Sequence, residues 1–243
     1  MRAIILAGGL GTRVSSPGPK ALVQVAGRAL LEWVLEETEG LETTILVRDD
    51  ALTAFEHEPW LRGVRISVAK ADTPARSIAR EVSVGEIVVV LHTDELCLGS
   101  AGARCYSAIA ERFNLPVVGS SAARLTETIR LGLSRSAEVV LEDDERFPPG
   151  EFDPLMMDIG AGEAKWARRS DAPQGVQARY IGRYAFRTSE ALLANLSVGR
   201  SVLGAILASS ARFVAADLPK TYQDCGTDAL LRLADEQIGV AST

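Results

Sequence analysis

Short apolar runs alternate with longer amphipathic stretches along most of this chain. Ala3–Ala7 predicts a buried strand that breaks at Gly8 and Gly9. Leu22–Val25, Thr43–Val47 and Val64–Val68 predict further short strands. Glu86–Leu91 (EIVVVL) is a continuous, mostly β-branched run, as expected of a strand covered on both faces. Leu30–Glu39 predicts a helix, with Leu30, Leu31, Val34 and Leu35 on one stripe and acids opposite. Arg76–Glu81, Ser107–Phe113 and Leu125–Leu133 predict helices too. Beyond them come a strand over Tyr180–Phe186 and helices over Ser189–Asn195, Ser201–Ser209 and Thr227–Ile238. Strands alternating with helices predict an α/β fold with a parallel or mostly parallel sheet. Leu141–Arg169 breaks the alternation: EDDERFPPGEFDP predicts a loop, and MMDIGAGEAKWARRS predicts strands outside the main pattern.

Length and composition narrow the picture. The 243 residues are 47% hydrophobic and 24% charged, which suits one globular domain over 1–243 with an insertion at about 141–175. The net charge of −6 speaks against nucleic acid or an anionic membrane as partner, so any bound anion must be held by local cations. Cys97, Cys105 and Cys225 are odd in number and widely spaced, which points to a reducing compartment. The N-terminus lacks the apolar stretch of a signal peptide, and no window nears the roughly 18 consecutive apolar residues of a spanning helix. A soluble cytoplasmic protein is the expectation.

The most informative segment is LAGGLGTRVSSPGPK, Leu6–Lys20. A strand runs straight into Gly8, Gly9 and Gly11, then Thr12 and Arg13. Glycines allow backbone N–H groups to approach a phosphate chain without Cβ obstruction. Arg13 adds a planar fork for phosphate oxygens, and Lys20 a point charge for a second phosphate group. A Walker loop is excluded, because Pro19 separates Gly18 from Lys20 and Ala21 stands where the hydroxyl belongs. The dinucleotide fingerprint fails at Val14, where its third glycine is required. Residue by residue, the loop also reads as a plain Gly-rich turn with a surface Arg and Lys.

LAGGLGTR followed by PKALVQVAGRALLEWVL resembles the signature of the sugar-phosphate nucleotidyltransferases: G-x-G-T-R, a variable loop, P-K, a short strand, a G-[RK]-P-[LM] turn and a helix. Ala29 stands where Pro is usual. The resemblance implies a Rossmann-like αβα sandwich with a mostly parallel central sheet. It assigns the nucleotide to Leu6, Ala7, Gly8, Gly9, Gly11, Thr12 and Arg13, and catalytic roles to Arg13 and Lys20.

Such a reaction needs a divalent cation, normally Mg²⁺, on one or two carboxylates. Asp94 directly follows the EIVVVL strand, at the end where open α/β sheets bind ligands. It reads as a metal ligand or as a cap of a turn, and the resemblance implies the metal, with Thr93 in place of the family's Gly. Glu95 is expected to face the other way along an extended chain. YQDCGTDALLRLADE resembles the family's W-x-D-[IVT]-G-T element, which makes Asp224 the second metal carboxylate, with Thr227 as helix N-cap. YIGRYAF resembles N-x-G-[IL]-Y-x-F, whose Gly lies against the sugar. Gly182 matches it, while Arg183 replaces an aliphatic residue. GEAKWARRS offers Glu163 and Lys165 for the segment that grips the sugar phosphate, at a spacing one residue too long.

The implied function is condensation of an NTP with a sugar 1-phosphate, or a similar phosphorylated small molecule, to a nucleotide-sugar and pyrophosphate. Two alternatives stand beside it: a cytidylyltransferase for phosphocholine or a phosphonate, and a catalytically silent nucleotide-sugar binding module. Val68–Glu81 lacks the family's base-reading Gln and Gly, so the base is left open, as is a homo-oligomer. Residues 96–150 are expected to shape the acceptor pocket, with the 141–175 insertion over it.

Overall fold

The computed structural model describes residues 1–9, 13–16, 18–97, 103, 107–108, 110–111, 114, 116–121, 154–158, 163–166, 177–209, 214–217 and 222–241. The strands, in chain order, are β1 (Arg2–Leu6), β2 (Gln24–Val25), β3 (Arg28–Ala29), β4 (Glu42–Val47), β5 (Arg65–Val68), β6 (Ile87–His92) and β7 (Glu95–Cys97). They continue with β8 (Val117–Ser121), β9 (Pro154–Asp158), β10 (Glu163–Trp166), β11 (Gln177–Arg187), β12 (Val214–Asp217) and β13 (Tyr222–Asp224). The α-helices are α1 (Leu30–Glu37), α2 (Leu52–Glu56), α3 (Pro74–Ala79), α4 (Glu190–Val198), α5 (Val202–Ser209) and α6 (Asp228–Ala241).

The main sheet runs β10-β9-β11-β6-β1-β4-β5, with β8 pairing β11 and β12 pairing β8. Its centre, β6-β1-β4-β5, is wholly parallel, with Ile4 opposite both Thr44 and Val90. β11 then joins β6 antiparallel, and β9 joins β11 antiparallel. Alternating side chains feed two cores. Ile5, Ile45, Val89 and Leu91 meet Leu30, Leu31 and Val34 of α1 and Ile238 of α6 on one face. Ile4, Leu46, Val88 and Val90 meet Ile78 of α3, Leu192 of α4 and Ile206 of α5 on the other. Each fully buried aliphatic side chain contributes about 1.5–3 kcal/mol. The result is the αβα sandwich with a mostly parallel centre that the alternation predicts.

Local chemistry sets the helix boundaries. Thr73 accepts the Arg76 N–H and Pro74 opens α3, so that helix begins two residues before the predicted start. Ser189 caps α4 through the Leu192 N–H. Thr227 takes the expected N-cap role, accepting the Leu230 N–H at 3.3 Å. The predicted strand over Leu22–Val25 is mostly turn. The Pro19 and Lys20 carbonyls accept the Leu22 and Val23 N–H groups, which closes a 3-10 turn over Lys20–Leu22 and leaves Gln24–Val25 as strand. That turn matters because it orients Lys20. The predicted helix over Leu125–Leu133 lies outside the described residues. Of Ser107–Phe113, residues 107, 108, 110 and 111 are described, and they are helical. Of the 141–175 insertion, β9 and β10 are described, and they extend the main sheet as an antiparallel pair. No helix among the described residues is long and apolar enough to cross a membrane.

Candidate active site

The parallel strands end along one edge of the sheet, where α/β proteins place their ligands. Leu6 ends β1 and Gly8 and Gly9 follow it, Arg48–Asp50 follow β4, Ala69, Ala71, Asp72 and Thr73 follow β5, and His92–Asp94 close β6. Together with Lys20, Pro74 and Ser77 they line a cleft of about 660 Å³.

The glycine loop enters this cleft on a fixed path. The Ala7 N–H donates to the Leu46 carbonyl at 2.9 Å, which carries the parallel pairing one residue past β1. A Cβ on Gly8 would meet Arg48 Cγ at 3.4 Å, whereas one on Gly9 would meet nothing within 4 Å. Gly9 therefore opens the backbone toward the cleft. Gly11 and Thr12 lie outside the described residues. Arg13 is exposed at the following turn. Ser15 anchors the loop downstream, with its N–H donating to Asp228 Oδ1 at 2.9 Å at the start of α6.

The Lys20 Nζ donates to Asp94 Oδ2 at 2.7 Å, and Lys20 is 6% exposed. Burial raises the Asp94 carboxyl, but the Lys20 ammonium outweighs it and holds Asp94 below the ordinary carboxylate range. The Asp94 carbonyl accepts the Cys225 N–H at 2.7 Å. β13 pairs β7 antiparallel with Asp224 opposite Glu95, so the Asp224 segment is stitched to the segment that follows β6. Asp224 is pushed up to about 7, first by burial and then by the charge of Asp94. Its Oδ1 accepts the Gly226 N–H. A Cβ on Gly226 would fall 2.7 Å from Asp224 Oδ1, so any other residue there would have to shift that carboxylate, while Arg13 Nη2 lies at an ordinary contact distance of 3.9 Å. Arg13, Lys20, Asp94 and Asp224 thus come together from sequence positions more than two hundred residues apart. Asp94 and Asp224 could hold a hard cation between carboxylate oxygens. Among the described residues no group of three or more metal-ligating side chains exists.

The acceptor-side residues are placed less closely. Gly182 lies on β11 where the register with β8 slips, between Ile181 and Tyr184. Glu163 and Lys165 lie on β10 at the sheet edge, separated from β6 by β9 and β11. Glu95 turns away from Lys20, as expected, and its Oε2 lies 4.0 Å from Arg183 Nε.

Sequence reasoning passed over two cleft residues. His92, the last residue of β6, sits at the cleft floor, and burial lowers its pKa so that the imidazole is neutral at pH 7. Arg48 grips Asp50 through two bonds of 2.8 and 2.6 Å beside Gly8. The signal for both was available: each is the first polar residue at the carboxyl end of an apolar parallel strand.

Comparisons with known proteins bear on the fold and on the first hundred residues. Residues 3–98 match the family described as the MobA-like NTP transferase domain. A 39-residue segment is 54% identical to the bifunctional protein GlmU of Caulobacter vibrioides, a match that spans 16% of this chain and 8% of that protein. An apo structure of UDP-glucose pyrophosphorylase superposes with a TM-score of 0.66 at 16% identity, covering 100% of this chain and 99% of that one. A UDP-glucose pyrophosphorylase complexed with UDP-glucose gives 0.65 at 16% identity over 99% and 98%. Residues 3–98 are thus similar to the MobA-like NTP transferase domain, and the whole chain shares the fold of UDP-glucose pyrophosphorylase.

Proposed function

We propose that this protein is a nucleotidyltransferase that joins an NTP to a sugar 1-phosphate, or to a similar phosphorylated small molecule, and releases pyrophosphate. One observation carries the reading: Lys20 and Asp94 pair beside Gly8 and Gly9 in the cleft at the carboxyl ends of β1 and β6, and the β7–β13 pairing holds Asp224 next to the Asp94 segment. The likeness to a structure holding UDP-glucose supports a nucleotide-sugar as the product.

The chemistry asks little proton transfer of the protein. A phosphate monoester has a second pKa of about 6, so the acceptor arrives with an ionised oxygen near neutral pH. That oxygen bonds to the α-phosphorus of the NTP as the bond to the β-phosphate oxygen breaks, and pyrophosphate leaves. Lys20 holds the attacking phosphate against its repulsion by the nucleotide. Arg13, exposed at the loop's exit, takes the leaving phosphates. The backbone at Gly8 and Gly9 lets the phosphate chain lie against β1, and His92 presents a neutral floor that adds no charge.

Asp94 and Asp224 fit Mg²⁺. Asp224 is raised to about 7 by burial and by the charge of Asp94, so the site is short of positive charge there, and oxygen ligands are those that Mg²⁺ takes. Bound there together with substrate oxygens, Mg²⁺ would supply charge neutralisation on the phosphates. On the acceptor side, Gly182 lies against the sugar, and Lys165 with Glu163 completes the phosphate grip.

Pyrophosphate release from a panel of NTPs against sugar 1-phosphates and phosphocholine, with Mg²⁺, tests the proposal. Release with one sugar 1-phosphate pair supports it, and release with phosphocholine alone favours the cytidylyltransferase reading. Nucleotide-sugar binding without any release leaves the silent binding module.

A further inference from the structure

We propose that Arg183 is a positioning residue for the Asp94–Asp224 pair, acting through the β7–β13 ribbon, an inference that rests on the nucleotidyltransferase reading above. Arg183 follows Gly182 on β11, at the point where the register with β8 slips. An arginine in an otherwise apolar strand pattern should be exposed, yet its guanidinium is 0% exposed. The fork grips Glu37, also 0% exposed, through bonds of 2.6 and 2.9 Å. Its Nη2 donates as well to the Glu95 carbonyl. Glu37, the last residue of α1, accepts the Cys97 N–H at 2.7 Å. Both ends of the three-residue β7 are thereby tied to one buried ion pair, Glu95 through Arg183 and Cys97 through Glu37.

β7 is the strand on which the carboxylate pair depends. Asp94 immediately precedes it, and Asp224 is the register partner of Glu95 across the ribbon. A two-stranded ribbon of three residues each does not hold its own geometry in water. A buried ion pair is a poor device for stability alone, since apolar residues of similar volume often do as well. It is a good device for fixing backbone groups, because the planar fork meets a carboxylate and a carbonyl in one plane. Arg183 and Glu37 therefore set where β7 lies, and with it the separation and aim of Asp94 and Asp224, without touching substrate themselves.

The test uses the full-length protein and an Arg183→Met/Glu37→Met double variant, which replaces the pair by apolar side chains of similar length. Mn²⁺ serves as the metal probe, read by electron paramagnetic resonance, and kcat and KM come from pyrophosphate release. If the pair positions the acids, the folded double variant loses about tenfold or more in Mn²⁺ affinity and in kcat, while KM for the NTP stays near the native value. A folded double variant with native Mn²⁺ affinity and kcat overturns the proposal. Should the double variant not fold, amide exchange of the native protein decides. Cys97 and Cys225 N–H groups that exchange only by global unfolding support the tether, and exchange by local opening overturns it. A native protein that releases no pyrophosphate would instead count against the nucleotidyltransferase reading, and the Mn²⁺ and exchange results would still judge the tether.

Discussion

Lys20 and Asp94, seventy-four residues apart, meet in a 2.7 Å ion pair in the lining of the cleft. The pair joins the 3-10 turn after the glycine loop to the carboxyl end of β6, so the buried Lys20 ammonium sits on the acid that precedes β7. Asp94→Asn keeps the shape and removes the charge. It is expected to lower turnover by two or more orders of magnitude, roughly the scale of losing one transition-state charge partner. Arg13→Ala is expected to do the same without lowering the melting temperature, because Arg13 is exposed. Steady-state pyrophosphate release by both purified variants, with thermal melts alongside, checks this.

Gly226 gives a sharper steric prediction. Its missing Cβ is the space in which the Asp224 carboxylate lies, 2.7 Å from where that atom would be. Gly226→Ala must displace the carboxylate from its own backbone hydrogen bond. Turnover is expected to fall about ten- to a hundredfold, the effect of misplacing a reacting group by an ångström or less. Gly9→Ala, facing open space, is expected to fold normally and to weaken NTP binding instead. Melting temperature and KM for the NTP distinguish the two variants.

Asp224 carries a pH signature. Its folded-state pKa is about 7, above the ordinary carboxylate value, because of burial first and Asp94 second. The folded protein thus binds a proton that the unfolded chain has lost, and stability falls as pH rises from about 4 to 7. In EDTA, Asp224→Asn is expected to gain up to about 4 kcal/mol over the native protein at pH 8 and almost nothing at pH 4. Denaturant melts at the two values measure the difference. Since a metal ligand must be deprotonated, Mg²⁺ affinity of the native protein is expected to weaken below pH 7.

A stability prediction concerns the β2–β3 hairpin. Its two turn residues, Ala26 and Gly27, have φ of 51° and 76°. Glycine adopts that conformation freely and alanine at a cost of about 1 kcal/mol. Ala26→Asn is expected to recover most of that cost while keeping the Ala26 N–H bond to Asp235 Oδ1. Calorimetric melting of the variant, which should rise by a few degrees for a chain of this size, checks the point.

The sequence makes some of this legible and hides the rest for physical reasons. The parallel centre is readable because EIVVVL and AIILA are apolar runs too continuous for a one-faced sheet. Asp94 and Asp224 are readable because each sits beside a local pattern, a strand end and a Gly-Thr helix start. The Arg183–Glu37 pair is not, since its partners lie 146 residues apart and neither position shows any local sign of burial. The Lys20–Leu22 turn hides in an apolar run too short to separate strand from 3-10 turn. α3 shows the opposite failure: Thr73-Pro74 is a readable helix start, and its significance emerges only when the β5–α3 connection is seen lining the cleft.

The central claim is that Asp94 and Asp224, 130 residues apart in the chain, work as one carboxylate pair. A double-mutant cycle on turnover with Mg²⁺, using Asp94→Asn, Asp224→Asn and the double variant, tests it most directly. Residues acting as a unit are grossly non-additive, so the double variant should be scarcely slower than the slower single one. Losses that multiply, leaving the double variant slower by the product of the two single effects, would contradict the claim.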